Sequence, residues 1–204
     1  FKASTIVQSI YLYNNIDKID FENYIDWKES HLILKTAFPV DVNTNKATYD
    51  IQFGSVERPT HKNTSWDAAR FEVCAHKYCD LSEYGYGVSL MNDCKYGHAI
   101  HDGVMSLTML KCGTFPDPDA DKCEHTFTYS LYPHAGDYRE AGTIQKAYDL
   151  NISIGLAGAE SVSNMDEVDL LIGEAEKDMK KIRKVVKRFS RMKKYDLYSG
   201  NYYE

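Results

Sequence analysis

Between Ser4 and about Thr128, short runs of Val, Ile, Thr, Tyr and Phe are broken at intervals by clusters of Asn, Asp and Gly. The first group fits a pleated surface and the second makes turns, so the spacing predicts strands. The runs are TIVQSIYLY (5–13), HLILKTAFPV (31–40), ATYDIQFG (47–54), ARFEVCAHKY (69–78), YGVSLMND (86–93), VMSLTMLKC (104–112) and HTFTYSLY (125–132). A succession of strands without intervening helices predicts a mainly β fold, an antiparallel β-sandwich rather than a parallel α/β sheet. Within 47–54, Thr48, Asp50 and Gln52 fall on one face and Tyr49, Ile51 and Phe53 on the other, the pattern of a sheet with one wet side. Pro116 and Pro118 cannot donate to a ladder, and Asp117, Asp119 and Asp121 favour water, so 115–121 is read as a surface loop.

After Asn151 the period changes. Residues 1–151 form the predicted sandwich, 152–164 are small and flexible in composition and read as a linker, and 165–194 take a helical repeat. Val168, Leu171, Ala175, Met179, Ile182, Val186 and Phe189 are three or four residues apart and make one apolar stripe. Asn164 or Asp166 is available as N-cap, and the acids Asp166, Glu167 and Asp169 precede the Lys and Arg, as the helix dipole favours. The prediction is a basic amphipathic helix over 165–194, followed by a poorly ordered tail, 195–204.

Composition narrows the classes. A chain of 204 residues that is 43% apolar, with 12 Gly and 5 Pro, can bury a core, which excludes collagen-like and disordered classes. No apolar run approaches the roughly 18 residues of a membrane helix, and FKASTIVQSI lacks the basic-then-apolar layout of a signal peptide, so a soluble chain is expected. Five cysteines, Cys74, Cys79, Cys94, Cys112 and Cys123, are an odd number in a chain too large to need stapling. They predict a reducing, cytoplasmic setting, which makes the sequons at Asn63 and Asn151 chance matches. The first residue is Phe, which suggests processing or a piece of something longer.

The net charge of −6 is unevenly divided: residues 1–164 hold 14 Lys/Arg against 22 Asp/Glu, a net −8, and 165–204 hold 10 against 8, a net +2. All ten of those basic residues lie between Lys177 and Lys194. That run could touch nucleic acid or an anionic membrane. Equally, it is the solvated face of a helix that packs through its stripe. The acidic balance of the whole favours the second reading, so neither nucleic acid nor membrane is expected as a partner.

Candidate chemistry starts with soft ligands. Cys74-x-His76-x-x-Cys79 and Cys94-x-x-x-His98-x-x-His101 could gather metal ligands, and Cys123 with His125 repeats the i, i+2 arrangement, yet none has a zinc-finger spacing and buried cysteine is a common small hydrophobe. The acids Asp67, Glu72, Asp80, Glu83, Asp93 and Asp102 are read as strand-edge and turn residues. A Gly-rich phosphate loop, GxSxG and HExxH are absent from the sequence.

The segments IDWKESHLILKTAFPVDV (25–42), ATYDIQFGSVERPTHKNTSWDAARFEV (47–73), DLSEYGYGVSLMNDCKYGH (80–98), DPDADKCEHTFTYSLYPHAGD (117–137) and AYDLN (147–151) are long matches in one order. Through them the chain from about Ile19 to Asn151 resembles the β-rich C-terminal region of glycoside hydrolase family 38 α-mannosidases, in their cytosolic and bacterial branch. The resemblance implies an accessory β-sandwich of a retaining exo-α-mannosidase acting in oligosaccharide catabolism. In that family a divalent ion, zinc or cobalt, binds the sugar hydroxyls and an Asp nucleophile forms a glycosyl-enzyme intermediate. Those groups belong to an N-terminal α/β barrel outside this chain, so no catalytic residue, metal or cofactor is expected within it. The implied partners are an α-mannoside and the catalytic region. Past Asn151 the chain departs from the family, and the helix is expected to cover a sheet edge or to mediate a homo-oligomer.

Two matched segments invite a closer reading. MNDCKYGHAIHDG (91–103) puts acids, a lysine, a tyrosine and histidines between two apolar strands, and Asn92, Asp93, Lys95, Tyr96 and His98 form the most site-like group, suited to sugar hydroxyls and C–H faces. The same residues also suit a plain hairpin whose Asp93 and Gly97 make the turn. In 58–72, Trp66 and Asp67 could hold a sugar; the favoured reading is that Trp66 fills the core, Asp67 caps a turn and Arg58 pairs with a carboxylate. Two other classes remain: a stand-alone carbohydrate-binding sandwich, and an interaction protein joined through its helix.

Overall fold

The computed structural model describes residues 2–152, which belong to the first of two compact units into which the chain divides at Ile152. The helix expected at 165–194 and the tail lie outside the described residues, as does the linker beyond Ile152. The described part is built from β1 (Thr5–Tyr13), β2 (Ile16–Asp26), β3 (Leu32–Pro39), β4 (Lys46–Ile51), β5 (Gly54–Pro59), α1 (Ser65–Ala69), β6 (Val73–Cys74), β7 (Tyr78–Glu83), β8 (Tyr86–Asn92), β9 (Gly97–His101), β10 (Val104–Cys112), β11 (Glu124–Ala135) and α2 (Thr143–Asn151). The strands make a seven-stranded sheet, ordered β1-β2-β11-β8-β7-β4-β5, and a four-stranded one, ordered β3-β10-β9-β6. Every pairing is antiparallel.

The two sheets bury their facing residues in one core. Phe21 and Ile25 of β2, Leu81 of β7, Leu90 of β8 and Phe127 and Tyr129 of β11 meet Ile100 of β9 and Met105 and Leu107 of β10. Aromatic contacts bridge the layers: the Phe21 and Tyr129 rings stack at 4.9 Å, and Phe38 of β3 meets Phe21 at 5.5 Å and Tyr129 edge-on at 6.0 Å. Trp27, just past β2, is buried and donates its indole N–H to Cys112 Sγ at 3.1 Å.

The expected sandwich is present, with local departures that have physical causes. The run at 47–54 turns back at Gln52-Phe53, where Phe53 adopts a left-handed φ of 60° and its ring is exposed. Nor does that run have a wet side: Thr48 and Asp50 are buried, and Asp50 accepts the Lys77 N–H at 2.9 Å. The run at 69–78 yields only the two-residue β6 before Tyr78. Upstream, Thr64 and Asp67 close a capping box that starts α1 instead. The helix α2 replaces the strand character expected up to residue 151. It packs on the outer face of the seven-stranded sheet, where Ala147 joins Tyr78, Met91, Tyr132 and Tyr138 in a second apolar cluster. β2 is absent from the sequence runs because its polar residues, among them Asp20 and Asn23, are buried in partnered positions that hide the alternation.

Beneath α2 lies a buried polar knot. Asp80 Oδ2 accepts from the Ser89 hydroxyl at 2.7 Å and from His134 Nε2 at 2.8 Å; Ser82 donates to Asp80 Oδ1, and the Ser89 and Thr143 hydroxyls meet at 2.7 Å. Gly87 makes room for it, since a Cβ there would collide with Ser82 Oγ and the His134 ring. Gly87→Ala is therefore expected to cost about 1–3 kcal/mol, read as a lower urea midpoint at unchanged m value.

A second knot lies where the chain crosses between the sheets. Asn92 Oδ1 accepts the Lys95 N–H at 2.6 Å, so its amide nitrogen faces the His76 carbonyl at 2.9 Å and His98 Nε2 at 3.3 Å. Nε2 must accept, which leaves the proton on Nδ1 to meet Cys79 Sγ at 3.3 Å. Burial pushes the His98 pKa down from 6.5 to about 4. The unfolded chain then binds a proton that the folded chain refuses between these values, so stability falls as pH drops from about 6.5 to about 4. Urea midpoints across that window should show a loss of up to about 3 kcal/mol, and His98→Gln should flatten the dependence.

Candidate functional site

The turn between β8 and β9 carries the five residues singled out in the sequence. It crosses from one sheet to the other in four residues, 93–96, and three of the five are used in holding it there. Asn92 and His98 are fully buried in the network just described. Asp93 clasps Thr128 of β11 twice, accepting its N–H at 2.8 Å and donating its own N–H to the Thr128 carbonyl at 3.1 Å. Burial raises the Asp93 pKa above the usual carboxylate value.

Lys95 and Tyr96 face differently. The Lys95 ammonium sits 4.6 Å above the Phe127 ring, a cation–π contact that holds the side chain along the sandwich. Tyr96 is half exposed, with its ring edge-on to His76 at 5.5 Å. The turn therefore offers one aromatic face on a stiff backbone, and most of its other polar capacity is engaged within the fold.

On the same strand β9, a narrow cleft with room for about one water is lined by Tyr49, Arg58, Asp67, Arg70, Val73 and His101, together with Pro59, Ala99 and Ile100. Among the described residues Arg58 pairs with no carboxylate, in contrast to the sequence expectation. Its guanidinium stacks 4.9 Å from the Tyr49 ring, and Nη1 donates to the Cys74 carbonyl at a long 3.5 Å. Asp67 is the cap expected of it: Oδ2 accepts from the Thr64 N–H and hydroxyl at 3.2 and 2.8 Å. These hydrogen bonds hold its carboxyl below the usual carboxylate range. Arg70 Nη1 is 3.9 Å from Asp67 Oδ1. His101 Nδ1 approaches the Thr60 carbonyl at 3.3 Å, while Nε2 is buried with no hydrogen-bond partner among the described residues. Trp66 is not in the core; it is 76% exposed on α1, because the capping box turns that helix's first turn away from the sandwich.

Neither metal nor triad chemistry is assembled here. Among the described residues no three His, Cys, Asp or Glu side chains gather as ligands. Cys79 and His98 bond each other inside the core, whereas Cys123 and His125 meet at 3.4 Å on the surface. The zinc or cobalt implied by the resemblance thus finds no fitting set in this part of the chain. The Asp80–His134–Ser89 grouping is not a nucleophilic triad, because Asp80 and Ser89 both address Nε2, where a triad needs opposite ring nitrogens. No sequence pattern signals that Arg58, Arg70 and His101 line one cleft, which depends on β5, the α1 segment and β9 coming together in space.

Comparison with known proteins bears on the whole segment. The model of the glycosyl hydrolases family 38 C-terminal domain matches residues 1–119. Human alpha-mannosidase 2C1 is 47% identical over 151 residues, 74% of this chain and 14% of the human protein. Alpha-mannosidase G of Dictyostelium discoideum is 46% identical over 147 residues, 72% of this chain and 14% of its own length. The alpha-mannosidase of Saccharomyces cerevisiae is 38% identical over 161 residues, 78% of this chain and 15% of that protein. The chain therefore spans about one seventh of the length of these relatives. The crystal structure of an alpha-mannosidase from Enterococcus faecalis V583 superposes with a TM-score of 0.64 at 21% identity, over 70% of this chain and 17% of that one, a likeness of fold. With a family match over more than half its length and an antiparallel sandwich shared with a solved relative, the chain belongs to glycosyl hydrolase family 38 and carries its C-terminal domain.

Proposed function

We propose that this domain is the non-catalytic C-terminal part of a retaining, metal-dependent exo-α-mannosidase that removes terminal α-mannosides in oligosaccharide catabolism. The observation that carries the reading is the 47% identity to an alpha-mannosidase across three quarters of the chain. Zinc or cobalt is held by the catalytic region, outside this chain. The sandwich packs on that region and shapes the mannoside pocket.

Within it, the 92–98 turn faces the sugar. Tyr96 supplies an aromatic face for the C–H side of a mannose ring, Lys95 lies beside it, and Asn92, Asp93 and His98 fix the backbone from which they project. Five free cysteines, of which Cys74, Cys94 and Cys123 are exposed, suit a cytoplasmic enzyme, and no described helix is long and apolar enough to cross a membrane. A homo-oligomer built through 165–194 would use residues outside those described.

The test is a chimera in which residues 2–152 replace the matching segment of human alpha-mannosidase 2C1, assayed on an aryl α-mannoside. Activity is expected in the chimera and none in the 204-residue chain alone, with or without added zinc or cobalt. A folded but inactive chimera, or turnover by the chain alone, overturns the reading. In the active chimera, Tyr96→Ala should raise KM severalfold with a smaller effect on kcat, as loss of a binding contact does.

A further inference from the structure

The two sheets are unequal, and β1 overhangs the smaller one. Residues paired across antiparallel strands point to the same face. β1 lies along β2 in the register Ile6↔Ile25, Gln8↔Asn23, Ile10↔Phe21 and Leu12↔Ile19. Phe21 and Ile25 belong to the core, so Ile6, Gln8, Ile10 and Leu12 stand on the core-facing side of the sheet. Gln8 bears this out, because its amide nitrogen donates to the hydroxyl of the core residue Tyr129 at 2.9 Å. Yet Ile6, Ile10 and Leu12 are 42%, 61% and 78% exposed. The cause lies in the opposite layer: the four-stranded sheet ends at β3, which among the described strands neighbours β10 alone.

β3 shows the same incompleteness from its side. Leu32, Leu34 and Phe38 pack against the core but are only partly buried. Thr36 accepts from the Tyr129 hydroxyl at 3.4 Å, so Tyr129 spans the gap between Gln8 of β1 and Thr36 of β3. Phe38 meets Phe21 of β2, which places the next position outward from β3 over β1. A strand added there at the usual spacing of about 4.8 Å lies in the layer about 10 Å above β1, the distance at which facing side chains interdigitate. The slot has an aliphatic floor and a strand border for a wall, and the residues that face it from β1 and β3 carry no charge.

We propose that this slot takes one extended strand from the rest of an α-mannosidase chain, paired to the border of β3 with its apolar side chains on Ile6, Ile10 and Leu12. An extended segment satisfies the backbone of β3 and covers the floor of β1 together, and alternate uncharged side chains suit that floor. In human alpha-mannosidase 2C1 the matched segment is 14% of the length, so most of the polypeptide lies outside it and supplies the strand within one molecule. The inference rests on the reading of this domain as part of a larger mannosidase and is independent of the 92–98 turn.

The test is hydrogen exchange, read by mass spectrometry over β1 and β3 in the 204-residue chain and in the chimera with human alpha-mannosidase 2C1. β3 amides are expected to exchange at least about tenfold more slowly in the chimera, because pairing makes local opening harder. Ile10→Thr with Leu12→Thr keeps strand propensity and removes the aliphatic floor. It should return β3 in the chimera toward the rate of the chain alone, and leave the chain alone unchanged. Val7→Thr, on the opposite face of β1, should alter neither. Intact human alpha-mannosidase 2C1, read over the strand aligned with β3, gives a second measurement that does not depend on the chimera folding; slow exchange is expected there too. Fast exchange of β3 in these proteins, protection of β1 without β3, or an equal reversal by Val7→Thr overturns the inference. So does a concentration-dependent mass of the chain alone that the double variant abolishes, since the occupant is then a second copy. The readout needs no activity: an inactive chimera with a protected β3 refutes the mannosidase role and keeps the slot, and an active chimera with an unprotected β3 does the reverse.

Discussion

Asn92 is the residue on which the two sheets depend for their relation. It ends β8 in the seven-stranded sheet, and within four residues the chain must enter β9 in the four-stranded one. Its side chain satisfies the Lys95 N–H, the His76 carbonyl and His98 Nε2, and its backbone carbonyl takes the Asn151 amide at 2.8 Å. One buried amide thus ties the crossover, the strand that follows it, the loop before β7 and the end of α2. A carboxylate could not replace it: with no N–H to offer, it would face the His76 carbonyl with a second acceptor and bring a buried charge.

The packing around that crossover explains why few of the nearby titratable groups are available for chemistry. His98 is held neutral by burial, and the Cys79 thiol is pushed upward by the same cause. His134 and Asp80 are committed to each other under α2. Around the crossover Asp93 keeps one carboxylate oxygen buried without a hydrogen-bond partner among the described residues. The domain therefore invests its interior polar groups in fixing geometry.

Much of the fold was legible because hydrophobic alternation and turn residues report on half-buried strands. TIVQSIYLY and VMSLTMLKC coincide with β1 and β10. The reading failed where the signal was local or non-local in the wrong way. α1 is set by a capping box of two residues, too short for any period to show. α2 has a weak apolar face because a handful of contacts on Tyr78 and Tyr132 suffice to seat it. Trp66 misled because size and hydrophobicity alone argue for burial, while the cap beside it turns the ring outward. Within the 92–98 turn, residue types pointed to a site, but only coordinates distinguish Tyr96, which is exposed, from Asn92 and His98, which are not. That Arg58 and His101 line one cleft has no footprint in sequence, since residues that far apart in the chain come near only through the fold.

β1 has a further consequence. Among the described strands it neighbours β2 alone, and it carries no charged residue over nine positions and exposes Ile6, Val7, Ile10 and Leu12. Strands at sheet borders are commonly guarded by lysine, proline or a bulge, and along most of its length this one has none of them. A sheet border of that kind is a template. Left bare, it would recruit other chains one strand at a time, so the colloidal behaviour of the domain depends on what lies against this border more than on the depth of its core.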